Sequence, residues 1–77
     1  DNLTGGTGAD TIDGGDDDDT IVGSSGANSI AGGGGDDTIT VAAGGSTVDG
    51  GEGDDSITGG SDKDTILGGA GADLFSE

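Results

Sequence analysis

The chain has 77 residues, of which 17 are acidic and only Lys63 is basic, so its net charge is −16. This balance excludes the Lys- and Arg-rich surfaces that hold nucleic acids or anionic membranes, and no apolar run approaches the roughly 20 residues of a membrane span. Because the sequence has no Cys and no His, it also lacks thiolate and imidazole metal ligands. Its oxygen ligands suit calcium.

From Gly5 onward the sequence divides, without an insertion, into blocks of nine residues: GGTGADTID, GGDDDDTIV, GSSGANSIA, GGGGDDTIT, VAAGGSTVD, GGEGDDSIT, GGSDKDTIL and GGAGADLFS. The preceding DNLT supplies the last four positions of an earlier block. The first six residues of a block are turn formers, because Gly and Asp tolerate positive φ. The last three have strand character, since the residue at position eight is flanked by residues that point to the other face. The predicted strands are 2–4, 11–13, 20–22, 29–31, 38–40, 47–49, 56–58, 65–67 and 74–76.

Position eight always holds a large apolar residue, namely Leu3, Ile12, Ile21, Ile30, Ile39, Val48, Ile57, Ile66 and Phe75. One inward residue in nine builds a core only if the blocks stack, with two blocks, or 18 residues, in each coil. The predicted fold is all-β: a right-handed parallel β-roll (β-solenoid) of roughly four coils, with strands ~4.8 Å apart. We expect residues 1–77 to be one such module of a longer protein, because the chain begins with Asp1 and has no Met, and Phe75 marks a candidate closing block.

These blocks resemble the nonapeptide of RTX (repeats in toxin) proteins, G-G-x-G-x-D-x-U-x with U large and apolar. The resemblance covers essentially all of the chain, and GGTGADTID, GGGGDDTIT, GGEGDDSIT and GGAGADLFS fit best. It implies that the six-residue turns bind calcium between neighbouring coils. It also implies a bacterial protein exported by type I secretion to the medium or the cell surface, where such modules accompany proteases, lipases, toxins, adhesins and surface-layer proteins.

Stacked turns come from alternate blocks, so position six falls into two series. The first edge has turns 14–19, 32–37, 50–55 and 68–73 and carries Asp19, Asp37, Asp55 and Asp73, whereas the second edge carries Asp10, Asn28, Ser46 and Asp64. Carboxylates ~4.8 Å apart suit an ion that binds oxygens at ~2.3–2.6 Å. We expect about three strong calcium sites, one between each successive pair of turns on the first edge. Asp37→Ala or Asp55→Ala should then remove two sites at once.

The remaining candidate ligands are weaker or lie on the backbone. Possible backbone ligands on the first edge are Gly14, Asp16, Gly32, Gly33, Gly34, Gly35, Gly50, Gly51, Glu52, Gly53, Gly69 and Gly71. Candidates for weak or partial sites are Asp10, Asn28, Asp64 and Asp1. Pairs that include Ser46 are expected to stay empty and to satisfy their turns through hydrogen bonds or water.

The predicted function is a calcium-binding structural module that stays unfolded at cytosolic calcium and folds after export. The alternative is a rigid spacer or lattice element of an adhesin or surface-layer protein, and exposed coil ends invite end-to-end association. Adjacent carboxylates such as Asp54 and Asp55 also occur in acid–base catalysis, but metal binding accounts for them. We therefore expect no enzyme in this segment, although the parent protein can be a secreted hydrolase or toxin.

Overall fold

The computed structural model describes residues 2–42, 44–60 and 64–76, and it has a strand in every block. The nine strands among these residues are β1 (Asn2–Thr4), β2 (Thr11–Asp13), β3 (Thr20–Ser24), β4 (Ser29–Ala31), β5 (Thr38–Val41), β6 (Thr47–Asp49), β7 (Ser56–Thr58), β8 (Thr65–Leu67) and β9 (Leu74–Ser76). No described residue is helical, and accordingly no helix suited to crossing a membrane is found within these ranges.

The strands alternate along the chain between two parallel sheets. One sheet has the order β1-β3-β5-β7-β9 and the other the order β2-β4-β6-β8. Partners in neighbouring strands are two blocks apart in sequence, as in Ile21 with Ile39 and Ile30 with Val48. The register is strongly specified, because a slip of one residue would turn every inward side chain outward. The prediction of an all-β parallel roll with two blocks in each coil is confirmed.

The core is a double column of position-eight side chains between the two sheets. The apolar side chains with 3% exposure or less are Ile21, Ile30, Ile39, Val48 and Ile57, together with Val41. Leu3, Ile12 and Ile66 pack against this column but are only partly buried. Phe75, which the sequence predicts to lie in the core, is 50% exposed and therefore only partly buried. An inward side chain is covered by the coils on both sides of it, and the described residues include no coil beyond β9.

One irregularity interrupts the register, at the end of β3. Val22 pairs with Thr40 and Ser24 with the next residue, Val41, so Gly23 is an extra residue in β3. Ser24 takes a left-handed backbone conformation with φ of 64°. This bulge lies on the second edge and carries Val41 into the core. Val41 is the first residue of its block, whereas six of the eight full blocks of the sequence begin with two glycines.

Candidate metal centre

The turns are tight because block positions two and four take left-handed backbone angles. On the first edge, φ lies between 75° and 100° at Gly15, Asp17, Gly33, Gly35, Gly51, Gly53, Gly69 and Gly71. At the last six of these positions the preceding coil also lies close, and a Cβ on Gly51 would collide with the carbonyl of Gly33. Glycine therefore lets the turns of neighbouring coils stack with their backbones in contact.

The position-six aspartates of the first edge form a ladder of hydrogen bonds between coils. The backbone N–H of Asp19 donates to Asp37 Oδ1 at 2.8 Å, and that of Asp37 donates to Asp55 Oδ1 at the same distance. The N–H of Asp55 donates in turn to Asp73 Oδ1 at 2.9 Å. Asp19, Asp37 and Asp55 are 1–2% exposed, so their carboxylates are buried, and those of Asp37 and Asp55 are each held to the coil before.

The second oxygen of these carboxylates faces the following coil. Oδ2 of Asp37 and of Asp55 is buried and accepts no hydrogen bond. A Cβ added to Gly32 would lie 2.6 Å from Asp37 Oδ2 and 2.7 Å from the carbonyl oxygen of Gly50. A carboxylate oxygen and a carbonyl oxygen from adjacent coils therefore face one small space, and we call the space between two successive turns on an edge a junction.

The same pairing of oxygens recurs at the other two junctions of the first edge. A Cβ on Gly14 would lie 2.7 Å from both Asp19 Oδ2 and the Gly32 carbonyl oxygen. A Cβ on Gly50 would lie 2.6 Å from Asp55 Oδ2 and 3.1 Å from the Gly68 carbonyl oxygen. Two oxygens from adjacent coils that lie this near one another's turn are both available as ligands of a shared cation. These are the three junctions at which the sequence predicts calcium.

Burial makes the carboxylates of Asp37 and Asp55 hard to ionise when no cation is bound. The pKa of Asp55 is raised to about 6, mainly by desolvation. The Asp37 N–H lowers this pKa, and the carboxylates of Asp37, Asp73 and Asp36 contribute to raising it. Desolvation is also the main cause of the raised pKa of Asp37. A divalent cation at a junction would reverse both effects, because it favours the charged form of its ligands.

The donor set is mixed rather than purely acidic. Within residues 2–42, 44–60 and 64–76, no three acidic side chains converge on one point. A cation at a first-edge junction would therefore have to combine carboxylate oxygens with backbone carbonyls and water. Calcium accepts this mixture, with 6–8 oxygens in a flexible geometry.

The structure places several of the remaining predicted ligands. The carbonyls of Gly32 and Gly50 face the carboxylates, and so does that of Gly68, a residue that the sequence prediction left out. The Gly33 carbonyl instead accepts the N–H of Glu52 at 3.0 Å. The side chains of Asp16 and Glu52 are exposed, and Asp1 lies outside the described residues.

A second acidic ladder, at position five, was not among the predicted site residues. The N–H of Asp36 donates to Asp18 Oδ1 at 2.7 Å, and the N–H groups of Asp54 and Ala72 donate to Asp36 and Asp54, respectively, at 2.8 Å. These carboxylates reach forward to the next coil, whereas those at position six reach back. The pairs Asp36-Asp37 and Asp54-Asp55 therefore each hold their coil to both neighbours. The signal in the sequence is that Asp-Asp occupies positions five and six on this edge alone.

The second edge continues the position-six ladder with neutral side chains. The N–H of Asp10 donates to Asn28 Oδ1 at 2.9 Å, that of Asn28 to Ser46 Oγ at 3.1 Å, and that of Ser46 to Asp64 Oδ1 at 2.8 Å. The turns that contain Asn28 and Ser46 thus satisfy their amides through side chains. Only Asp10 and Asp64 keep a buried Oδ2 without a hydrogen bond among the described residues of this edge.

Comparison with known proteins identifies one family. The model described as the RTX calcium-binding nonapeptide repeat (4 copies) matches residues 1–30, 13–48 and 41–75. Taken together, these overlapping matches take in nearly the whole chain. No curated protein and no solved structure gives a significant match.

Proposed function

The chain belongs to the RTX calcium-binding nonapeptide repeat family, and from that premise we propose that it is a module whose first edge folds around calcium. The family membership makes it a calcium-binding repeat module. The proposal adds the place of the ions, at the three junctions of the first edge, and the consequence of binding them, which is folding.

Buried carboxylate oxygens that face carbonyl oxygens carry this proposal. At the junction of turns 32–37 and 50–55, Asp37 Oδ2 and the Gly50 carbonyl supply two oxygens, and Asp55 Oδ1 lies at the backbone of Asp37. A calcium ion there would neutralise charge that otherwise opposes burial, and it would cross-link two coils that are far apart in sequence. Asp19 and Asp73 play the same part at the two flanking junctions.

Calcium would decide whether the chain folds at all. The net charge of −16 acts against any compact state, and 21 glycines increase the entropy lost on folding. Each site at an ion concentration 100-fold above its Kd stabilises the fold by ~2.7 kcal/mol, so three sites supply about 8 kcal/mol. That amount is comparable to the whole stability of an ordinary domain.

Such a balance suits a protein that is exported unfolded. Extracellular calcium modules often bind with Kd of ~10⁻⁴–10⁻³ M, far above cytosolic calcium. The chain would remain extended in the cell, pass through a secretion channel and fold outside. The same roll would also serve as a rigid spacer in an adhesin or surface layer, because its strands, apart from the bulge in β3, pair residue by residue along the stack.

The test combines a calcium titration with circular dichroism. The wild-type chain should bind about three ions tightly and should gain its β signal only when calcium replaces a chelator. Asp37→Ala should lower the number of ions by two. Ser46→Ala is the matched control, because Ser46 is an equally buried position-six residue on the second edge, and its ion count should equal that of the wild type. A full β signal in chelator, or equal loss of ions in both variants, would contradict the proposal.

A further inference from the structure

Asn28 differs from the first-edge aspartates in the hydrogen bonds of its second side-chain atom. Its Oδ1 accepts the N–H of Asp10, as the Oδ1 of Asp37 accepts that of Asp19. Its Nδ2 donates to the carbonyls of Gly23 and Ser24 at 2.8 and 3.3 Å, where an aspartate would place a bare oxygen. The side chain is 2% exposed, so the whole carboxamide is buried and both of its polar atoms are satisfied.

An N–H group between carbonyl oxygens supplies the positive charge that a cation would otherwise bring. We infer that the Asn28 carboxamide takes the place of calcium at the junction of turns 23–28 and 41–46 and determines that the second edge closes there without metal. This inference rests on the proposed function, because it assigns the metal-free junction of a roll that binds calcium elsewhere. Asn28 is then a residue that decides which edge takes ions.

Two further residues complete the metal-free junction. Ser46 Oγ accepts the N–H of Asn28 and donates to the Gly26 carbonyl at 3.2 Å. The bulge at Gly23 brings in Val41, which is 1% exposed. A Cβ on Gly23 would lie 2.8 Å from Val41 Cγ1 and 2.9 Å from Ile30 Cδ1, so methyl groups fill the space that holds an oxygen pair at the first edge.

The consequence is a roll with two different edges. One edge carries buried negative charge and requires cations, and the other is closed by a carboxamide, a hydroxyl and an aliphatic side chain. The neutral junction lies between β4 and β6 in one sheet and β3 and β5 in the other, near the middle of the stack. In the folded roll it therefore links the central coils without an ion of its own.

The experiment measures ion number and melting temperature in calcium for the wild type, Asn28→Ala and Asn28→Asp. Asn28→Ala should bind as many ions as the wild type but melt at least about 5 °C lower, because it leaves buried backbone groups without partners. Asn28→Asp should also melt lower and gain no ion, because Val41 still fills the junction. Asn28→Asp with Val41→Gly should bind one ion more. Asp55→Asn is the matched control and should bind fewer ions.

A lower ion count in Asn28→Ala would overturn the inference, because Asn28 would then be a calcium ligand. Nuclear magnetic resonance gives a second readout: the Asn28 side-chain N–H protons should exchange slowly with solvent in the calcium-loaded chain, and fast exchange would also overturn it. If the wild type folds but binds no calcium, the proposed function fails. The melting temperature of Asn28→Ala and the exchange rate of the Asn28 side-chain protons in the wild type would still test the hydrogen-bonded junction.

Discussion

Asp55→Asn should have opposite effects on the metal-free and the calcium-loaded chain. Asparagine keeps Oδ1 for the N–H of Asp37 but replaces the buried Oδ2 with an NH₂ group. That group can donate to the backbone of its own turn, as Asn28 Nδ2 donates to Gly23. Without calcium the variant should be more stable than the wild type, and with calcium it should lose the ion at the junction of turns 50–55 and 68–73.

The size of the metal-free effect follows from the acidity of Asp55. Its pKa is about 6 in the fold against an ordinary value of 3.8, and its side chain is 2% exposed, so solvent screens it little. At about 1.4 kcal/mol per pKa unit, keeping Asp55 ionised at pH 7 costs the metal-free fold on the order of 3 kcal/mol. Removing the charge should raise the ratio of folded to unfolded chain by about 100-fold.

The assay is folding induced by trimethylamine N-oxide in the presence of a chelator, followed by circular dichroism. This osmolyte favours compact states, so it brings a weakly stable chain into a measurable range. Asp55→Asn should fold at a lower osmolyte concentration than the wild type, and calorimetry should count one ion fewer in calcium. Asp54→Asn is the control, since that side chain is exposed and keeps its Oδ1. If Asp55→Asn needs as much osmolyte as the wild type, the buried charge does not oppose metal-free folding.

Three further predictions concern the first edge. Since Asp55 has a raised pKa, the folded state binds its proton more tightly than the unfolded state. The stability of the metal-free chain should therefore fall as the pH rises from about 4 through 6, while its calcium affinity rises. Asp55→Asn should flatten this part of the pH profile in the osmolyte assay. Asp36→Ala should destabilise the loaded chain by ~1 kcal/mol in thermal melts, because the Asp54 N–H loses its acceptor, whereas Asp36→Asn should not, and equal melting of the two would contradict a hydrogen-bonding role. Gly32→Ala should lower the free energy of unfolding by ~1–3 kcal/mol and abolish calcium binding at its junction, because the new Cβ meets two oxygens. Gly34→Ala is the control and should behave like the wild type in the same titration, because the nearest neighbour of its new Cβ is Asp16 Oδ1 at 3.5 Å.

The nine-residue period was enough to predict the fold. Because side chains alternate in a strand, one apolar residue at a constant block position predicts one inward column for each sheet, and pairing two blocks in a coil predicts that Ile21 lies beside Ile39. The acids at position six could be placed on two edges for the same reason. Their positions follow from counting along the chain, and no long-range information is required.

The partners of individual atoms depended on the stacked structure. Adjacent residues such as Asp54 and Asp55 look alike in sequence, yet one reaches forward to Ala72 and the other back to Asp37, because neighbouring side chains leave the turn in different directions. The Val41 methyl group at Gly23 likewise depends on a bulge that no period predicts. The repeat determines which residues lie at equivalent positions of successive coils. The packing of the coils determines which carboxylate oxygen accepts an N–H and which one remains available to a cation.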